Sequence, residues 1–301
     1  MMSDYHVPVL LHDVINGLNI LPGGCYVDVT FGGGGHSRDI LKKLSGGKLY
    51  AFDQDADAAS NVLDEEALVF VPQNFKFIKN GLRLHGVKQV DGILADLGVS
   101  SHQFDVPERG FSFRFEGPLD MRMNTAAGKS AADVLNTYDE EELYRVFREY
   151  GELKGLKKWV EAIIAHRSNS EFQNTQDLVE LHDSLQWGGQ KRNRVLAQIF
   201  QALRIEVNDE MAVLKEFLQA CQSVIKPGGR LVVISYHSLE DRLVKNYIKS
   251  GSVDGKLEKD FFGNVNRPFK EVNRKVIVPS DEEIDRNPRA RSAKLRIAEK
   301  L

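Results

Sequence analysis

Tyr26-Val27-Asp28-Val29-Thr30-Phe31-Gly32-Gly33-Gly34-Gly35-His36-Ser37 is the stretch whose reading decides the fold. A β-branched apolar run ends in a carboxylate and four glycines, and Ile40, Leu41 and Leu44 follow at helical spacing, which reads as strand, tight loop, helix. Glycine suits such a loop because only a residue without Cβ reaches positive φ freely and lets the backbone approach a ligand. The helix N-terminus behind it offers N–H groups without intrahelical partners. One strand further on, Lys48-Leu49-Tyr50-Ala51-Phe52-Asp53 ends in a second acid, eighteen residues after Gly35. A carboxylate there can accept both hydroxyls of an adenosine ribose. The glycines alone are a weak signal. With Asp53 they point to an adenosine-bearing cofactor, and the spacing fits a nicotinamide dinucleotide and S-adenosylmethionine equally well.

Two features favour S-adenosylmethionine. Asp28 sits inside the fingerprint, where it either holds the turn or meets the amino-acid end of the cofactor. The later strands, taken below, complete the sheet of a methyltransferase and not that of a dehydrogenase.

The bulk properties set the frame. The 301 residues suffice for one large domain or two ordinary ones, and 42% apolar with 28% charged is an ordinary soluble composition. A net charge of −3 does not by itself point to nucleic acid, so any basic surface has to be local. Between 286 and 300, Arg286, Arg289, Arg291, Lys294, Arg296 and Lys300 stand against Glu299 alone. Cys25 and Cys221 are far apart and form no CxxC, which predicts reduced packing residues of a cytosolic protein. There is no basic leader before an apolar run and no bilayer-spanning segment, and the eight histidines lack metal-ligand spacing, so no metal is expected.

Read in order, Tyr5 to Leu11 leads into a short amphipathic helix ending near Gly17, with His6 assigned a surface or capping role over a place above the ligand. Strand one (about 24–30), helix (34–45), strand two (47–53) and helix (55–63) alternate as a parallel sheet requires. Phe75-Lys76-Phe77-Ile78 alternates as a third strand, and Gly92 to Leu97 makes a fourth, running into Gly98-Val99-Ser100-Ser101-His102-Gln103. Then the rhythm stops. From 107 to about 205 only helical patterns occur, around 131–150, 156–167, 175–185 and 194–205, and Asp139-Glu140-Glu141-Glu142 reads as an acidic, solvated first turn. After a helix at 207–225, Lys226-Pro227-Gly228-Gly229 precedes the buried-looking strand Arg230 to Tyr236, a helix at 239–249 and late strands near 272–278 and 293–298, the last antiparallel. The expected organisation is one α/β domain (1–106 and 207–301) split by a helical insertion (107–206) that recognises substrate, with the active site between the two.

In open α/β sheets, ligands lie beyond the carboxyl ends of the strands. That rule gathers Asp28 with the glycines, Asp53, Asp96 with Ser100 and Ser101, and Ser235-Tyr236-His237-Ser238 on one rim. Four polar strand ends on one edge are hard to explain by packing.

These residues also carry a resemblance. Phe31 to Ser37, Asp96-Leu97-Gly98-Val99-Ser100-Ser101, Glu108-Arg109-Gly110-Phe111-Ser112-Phe113, Gly117 to Met123, Phe200-Gln201-Ala202-Leu203-Arg204-Ile205, Ser235 to Arg242 and Asn287 to Arg296 occur in order along essentially the whole chain. Together they resemble the RsmH or MraW family of bacterial 16S rRNA cytidine N4-methyltransferases. The resemblance implies a Rossmann-like class I S-adenosylmethionine-dependent methyltransferase with an inserted helical domain. It also implies, as substrate, the exocyclic amine of a cytidine in the decoding region of 16S rRNA, within the 30S subunit. Carried over by position, it implies cofactor contacts from Gly34, Gly35, His36, Asp53, Leu82, Asp96 and Gln103. The chain departs from the family at His102, where Pro is common, and at Val195-Leu196-Ala197-Gln198, where a His-Pro-Ala-Thr-like lead is frequent.

The chemistry asks for an acceptor. The N4 lone pair of cytosine is delocalised into the ring, so the amine needs its N–H held and the sulfonium methyl placed in line. Positioning can supply about 7–11 kcal/mol, and a proton acceptor adds less. Asp96 is the first candidate, with Ser100 and Ser101 beside it in sequence, and His237 is a second, unless that ring only caps a helix beside Ser238. Arg289, Arg291, Lys294 and Arg296 are candidates for phosphate contacts, and Arg109 and Arg122 for guiding a flipped base. Phe111, Phe113 and Phe115 alternate either to stack a base or, more commonly, as a half-buried strand or lid.

The reading is a cytosolic methyltransferase, with a homodimer left open. Its rivals are a nicotinamide-dependent oxidoreductase, a methyltransferase of small molecules, which leaves the basic tail unused, and a non-catalytic RNA-binding module, which leaves the rim unexplained.

Overall fold

The computed structural model of the chain describes residues 8–185, 192–257, 263 and 267–301; His6 lies outside them. In chain order, α1 (Leu11–Leu18) precedes β1 (Cys25–Asp28), α2 (Gly35–Leu41), β2 (Lys48–Phe52), β3 (Leu68–Val71), α3 (Ile78–Leu84) and β4 (Val90–Asp96). Helices α4 (Ser101–Asp105), α5 (Ala131–Thr137), α6 (Glu140–Glu149), α7 (Leu156–Arg167), α8 (Thr175–Ser184) and α9 (Arg192–Val207) follow. The chain then forms α10 (Glu210–Val224), β5 (Ile225–Ser235), α11 (Ser238–Ser250), β6 (Phe269–Glu271), α12 (Asp281–Arg286) and β7 (Lys294–Lys300). It divides into two units, 1–98 with 211–301, and 99–210.

The first unit is built on a sheet of order β3-β2-β1-β4-β5-β7-β6. The first five strands in that order are parallel, and β7 runs antiparallel between β5 and β6. Apolar residues occupy both faces of the central strands: Ile93, Ala95, Leu231 and Val233 belong to one cluster, and Leu94, Val232 and Ile234 to another. This two-sided burial explains why β4 and β5 read as continuous apolar runs. Strand order reverses at β1 and β4, so the crevice outside their carboxyl ends is the topological switch point where such sheets take ligands.

Several expectations change. The third strand is Leu68-Val69-Phe70-Val71, paired in parallel with β2, and not Phe75–Ile78. Phe75–Phe77 is a 3₁₀ turn, because the Asn74 side chain accepts the backbone N–H of Lys76 at 2.9 Å and closes a turn instead. The helix expected at 55–63 is a 3₁₀ segment, Ala56–Asn61, started by Asp55. Lys226–Gly229 does not end the preceding helix before a fresh strand; it is an irregularity inside β5, where the register jumps from Val90↔Ile225 to Gly92↔Arg230. The late strand expected at 272–278 lies at Phe269–Glu271, and Ile277 makes only an isolated bridge to Leu295.

The second unit contains no strand among its described residues. The helical pattern at 131–150 is two helices, α6 starting afresh at Asp139, whose side chain accepts the Glu142 N–H at 2.8 Å. Trp159, Phe147, Phe172, Leu203 and Ile199 form its core. The unit begins earlier and ends later than the expected insertion of 107–206. Val99 and Phe104 pack against this core, which is why the division falls before α4. Phe111 is buried in it and Phe113 meets Phe200 edge-on at 5.6 Å, so two of the three alternating phenylalanines are packing residues; Phe115 is exposed.

Candidate active site

Asp28 ends β1 fully buried, and every contact it makes is local. Its Oδ1 accepts the Thr30 N–H at 3.1 Å and its Oδ2 accepts the Ser37 hydroxyl at 2.7 Å. Of the two roles open to it, this is the first: the carboxylate ties the strand end to α2 and fixes the glycine turn between. Gly34 stands at φ 71°, in the left-handed region, and a Cβ on Gly35 would meet Pro8 Cγ at 2.5 Å, so both positions require glycine.

Asp53, directly after β2, holds the same loop from the side. Its Oδ2 accepts the Gly32 N–H at 2.8 Å and its Oδ1 accepts the Asp55 N–H at 2.9 Å. Burial raises its pKa to about 6 against those two hydrogen bonds, which favour the charged form.

Asp96 ends β4. Its backbone N–H donates to the Thr30 hydroxyl at 2.7 Å, its Oδ1 accepts the Tyr236 hydroxyl at 2.8 Å, and its Oδ2 lies 3.7 Å from His36 Nδ1. The His36 ring is buried, with Nε2 3.0 Å from the Val9 carbonyl. A carbonyl only accepts, so Nε2 carries the proton and Nδ1 turns toward Asp96. Asp96 keeps 22% of its side-chain surface open. Burial raises its pKa to about 6, with His36 and the Tyr236 phenol acting the other way. Asp28 is raised as well, burial being the cause. The ends of β1, β2 and β4 are thus joined by one network running through the glycine loop, and burial raises the pKa of both Asp53 and Asp96 in it to about 6.

His237 is the N-cap of α11. Its Nδ1 accepts the Glu240 N–H at 3.4 Å, its Nε2 lies 3.1 Å from Glu240 Oε1, and both side chains are buried. The ring caps the helix through Nδ1, while its Nε2 is buried without a hydrogen-bond partner among the described residues. Ser100 and Gln103 belong to the second unit, where they cap α4 reciprocally: Ser100 Oγ accepts the Gln103 N–H at 3.2 Å and Gln103 Oε1 accepts the Ser100 N–H at 3.0 Å.

Two assignments need correction. Leu82 is 1% exposed and lies in the core with Phe52 and Ile78, so its side chain has no surface to offer a cofactor. Arg109 is buried, and its guanidinium donates to the carbonyls of Arg122 and Met123 at 3.0 and 3.2 Å, which makes it a brace of the Gly117–Met123 segment and not an RNA contact. Arg122 is clamped bidentately by Asp120 at 2.9 and 2.6 Å. Lys294 and Arg296 share Asp241, at 3.6 and 2.7 Å, whereas Arg291 is exposed and Arg289 half-buried. Thr30, Ser37 and Tyr236 carry the network yet had no role from sequence. Thr30 and Ser37 lie inside the deciding stretch, but hydroxyls two and nine residues from Asp28 give no periodic signal.

No helix of the described residues is long and apolar enough to cross a membrane. The family model of the MraW methylase family matches residues 3–301. The chain is similar to the ribosomal RNA small subunit methyltransferase H of Phocaeicola vulgatus, 59% identical over 297 residues that cover 98% of this chain and 97% of that one. It is 58% identical to the protein of the same description from Bacteroides thetaiotaomicron, with the same coverage of 98% and 97%. Among solved structures, an rRNA methylase from Streptococcus thermophilus aligns over 96% of this chain and 93% of that one, with 13% identity and a TM-score of 0.43.

Proposed function

The chain belongs to the MraW methylase family, and on that footing we propose that it methylates the exocyclic N4 amine of a cytidine in the decoding region of 16S rRNA, with S-adenosylmethionine as donor. The observation that carries this is the joined rim: Asp53 and Asp96 on either side of the loop Gly32–Gly35, at the switch point of the sheet. Asp53 has lone pairs beyond its two backbone donors for the ribose hydroxyls. The cofactor supplies an electrophilic methyl on a cationic sulfur. Asp96 is the residue that holds the amine N–H and takes its proton, since an acceptor near neutral pKa is the most effective one at physiological pH. Most of the rate comes from placing amine and methyl in line, about 7–11 kcal/mol. Arg291 and its neighbours in the tail contribute phosphate contacts, the exposed Arg291 foremost.

Incubating the protein with methyl-labelled S-adenosylmethionine and either free 16S rRNA or 30S particles, then digesting to nucleosides, tests the reading. Label in N4-methylcytidine is the expected result, and the better of the two substrates identifies the assembly state that is recognised. Label only in another nucleoside, or none in either RNA, ends it.

A further inference from the structure

We propose that Tyr236 is a positioning residue for the reaction: its phenol, at the end of β5, fixes one oxygen of the Asp96 carboxylate at the end of β4, so that the other oxygen is presented to the amine being methylated. The proposal rests on the reading of Asp96 as the acceptor of the amine proton.

The geometry is that of a tether between neighbouring strand ends. The Tyr236 hydroxyl donates to Asp96 Oδ1 at 2.8 Å. Asp96 is held from its other side through its backbone N–H, which donates to the Thr30 hydroxyl at 2.7 Å. Tyr236 is itself pinned, its backbone N–H donating to Glu240 Oε2 at 2.8 Å. With Oδ1 occupied, Oδ2 is the oxygen left for substrate; its near neighbour, His36 Nδ1, is at 3.7 Å, beyond hydrogen-bonding distance.

In the step itself, the amine nitrogen bonds to the methyl carbon, the carbon–sulfur bond breaks with its electron pair going to sulfur, and the N–H proton passes to Asp96 Oδ2. The sulfonium charge is lost and the carboxylate becomes neutral, so charge balances. Tyr236 keeps its proton throughout, because a phenol that donates to a carboxylate is no base toward the amine. Its effect is on the carboxylate. The groups facing Asp96 are Asp28 from β1, His36 from α2, and Tyr236 and Glu240 from the end of β5 and from α11. Asp28 and Glu240 oppose ionisation, whereas His36 and the phenol favour it, so deleting the hydroxyl makes Asp96 hold its proton to higher pH.

The test compares Tyr236→Phe, which keeps the ring, with the wild type and with 3-fluorotyrosine at 236, a stronger donor of nearly the same shape. In Tyr236→Phe, kcat falls roughly tenfold to a hundredfold, KM for RNA stays within about twofold, and the acid limb of the kcat profile moves up by about one pH unit. Fluorotyrosine moves that limb down. The ¹³C carboxyl titration of Asp96, identified by its loss in Asp96→Asn, follows the same order and requires no turnover. An acid limb and an Asp96 titration unmoved by both changes, in a protein that does methylate cytidine, overturn the role of Tyr236. A wild type that transfers no methyl to cytidine overturns the underlying reading instead, and the carboxyl titration still reports whether the tether exists.

Discussion

The backbone N–H of Gly32 donates to Asp53 Oδ2 at 2.8 Å, so the residue that follows β2 also holds the loop that leaves β1. Asp53 holds the loop, and in the proposed function it also takes the ribose of the cofactor. Asp53→Ala removes the ribose acceptor and frees the Gly32 and Asp55 N–H groups, and each lost hydrogen bond to a charged group is worth about 1.5–3 kcal/mol. Calorimetric titration with S-adenosylmethionine is expected to show affinity weakened at least about tenfold to a hundredfold. Asp53→Asn, which retains one acceptor oxygen, is expected to fall between.

Asp53 and Asp96 set a pH dependence of unusual sign. Each has a folded pKa of about 6 against an ordinary 3.8, so each binds its proton more tightly folded than unfolded. The stability they contribute is fully present below the unfolded value and is lost as pH rises through about 6, amounting to about 3 kcal/mol or less per group. Urea midpoints of the free protein should thus fall between pH 5 and pH 7, and Asp53→Asn or Asp96→Asn should flatten the trend. Asp183, held down to about 2 by Arg192, titrates below this window and does not obscure it. Cofactor affinity is expected to run the other way, strengthening over the same range, because the cationic ligand selects the ionised carboxylates.

Arg109 and Arg291 separate structure from RNA binding. Arg109→Ala leaves the partly buried Arg122 and Met123 carbonyls without their donor and should lower stability by about 1.5–3 kcal/mol. Arg291→Ala should leave the unfolding midpoint unchanged and weaken RNA affinity in a salt-dependent way, lowering the slope of log K against log salt by about 0.7 if the RNA is single-stranded there. Filter binding across a salt series, beside thermal unfolding, reads both.

Arg204, from the Phe200–Ile205 motif, pairs bidentately with Glu210 at 2.7 and 2.9 Å, both side chains only 12% exposed. Removing one partner strands the other charge, and Arg204→Ala should cost about 3–5 kcal/mol. Denaturant unfolding measures it; a loss below about 1 kcal/mol would mean that the motif serves something other than this pair.

What the sequence made legible follows from how strongly each signal is local. The Tyr26–Ser37 stretch specifies strand, glycine turn and helix through chemistry within a dozen residues, and β4 and β5 show through as long apolar runs because both their faces are buried. Phe75-Lys76-Phe77 alternates and so reads as a strand, whereas Leu68-Val69-Phe70-Val71 is an unbroken apolar run of the kind a parallel strand needs, and Asn74 diverts the alternating segment into a turn. The carboxylates of the rim were readable as strand ends. Their wiring was not: Thr30 to Asp96 and Tyr236 to Asp96 are contacts 66 and 140 residues apart that depend on strand order. Arg109 looked like an RNA contact because a positive charge in a motif invites that meaning, and only burial shows that its partners are backbone carbonyls.

The most direct test of the rim as the cofactor's seat is diffraction from crystals of the protein soaked with S-adenosylhomocysteine. The account predicts density with the ribose hydroxyls at hydrogen-bonding distance from Asp53, the backbone of Gly34 and Gly35 against the ligand, and the sulfur on the Asp96 side. Density elsewhere on the chain, with Asp53 and Asp96 untouched, would contradict it.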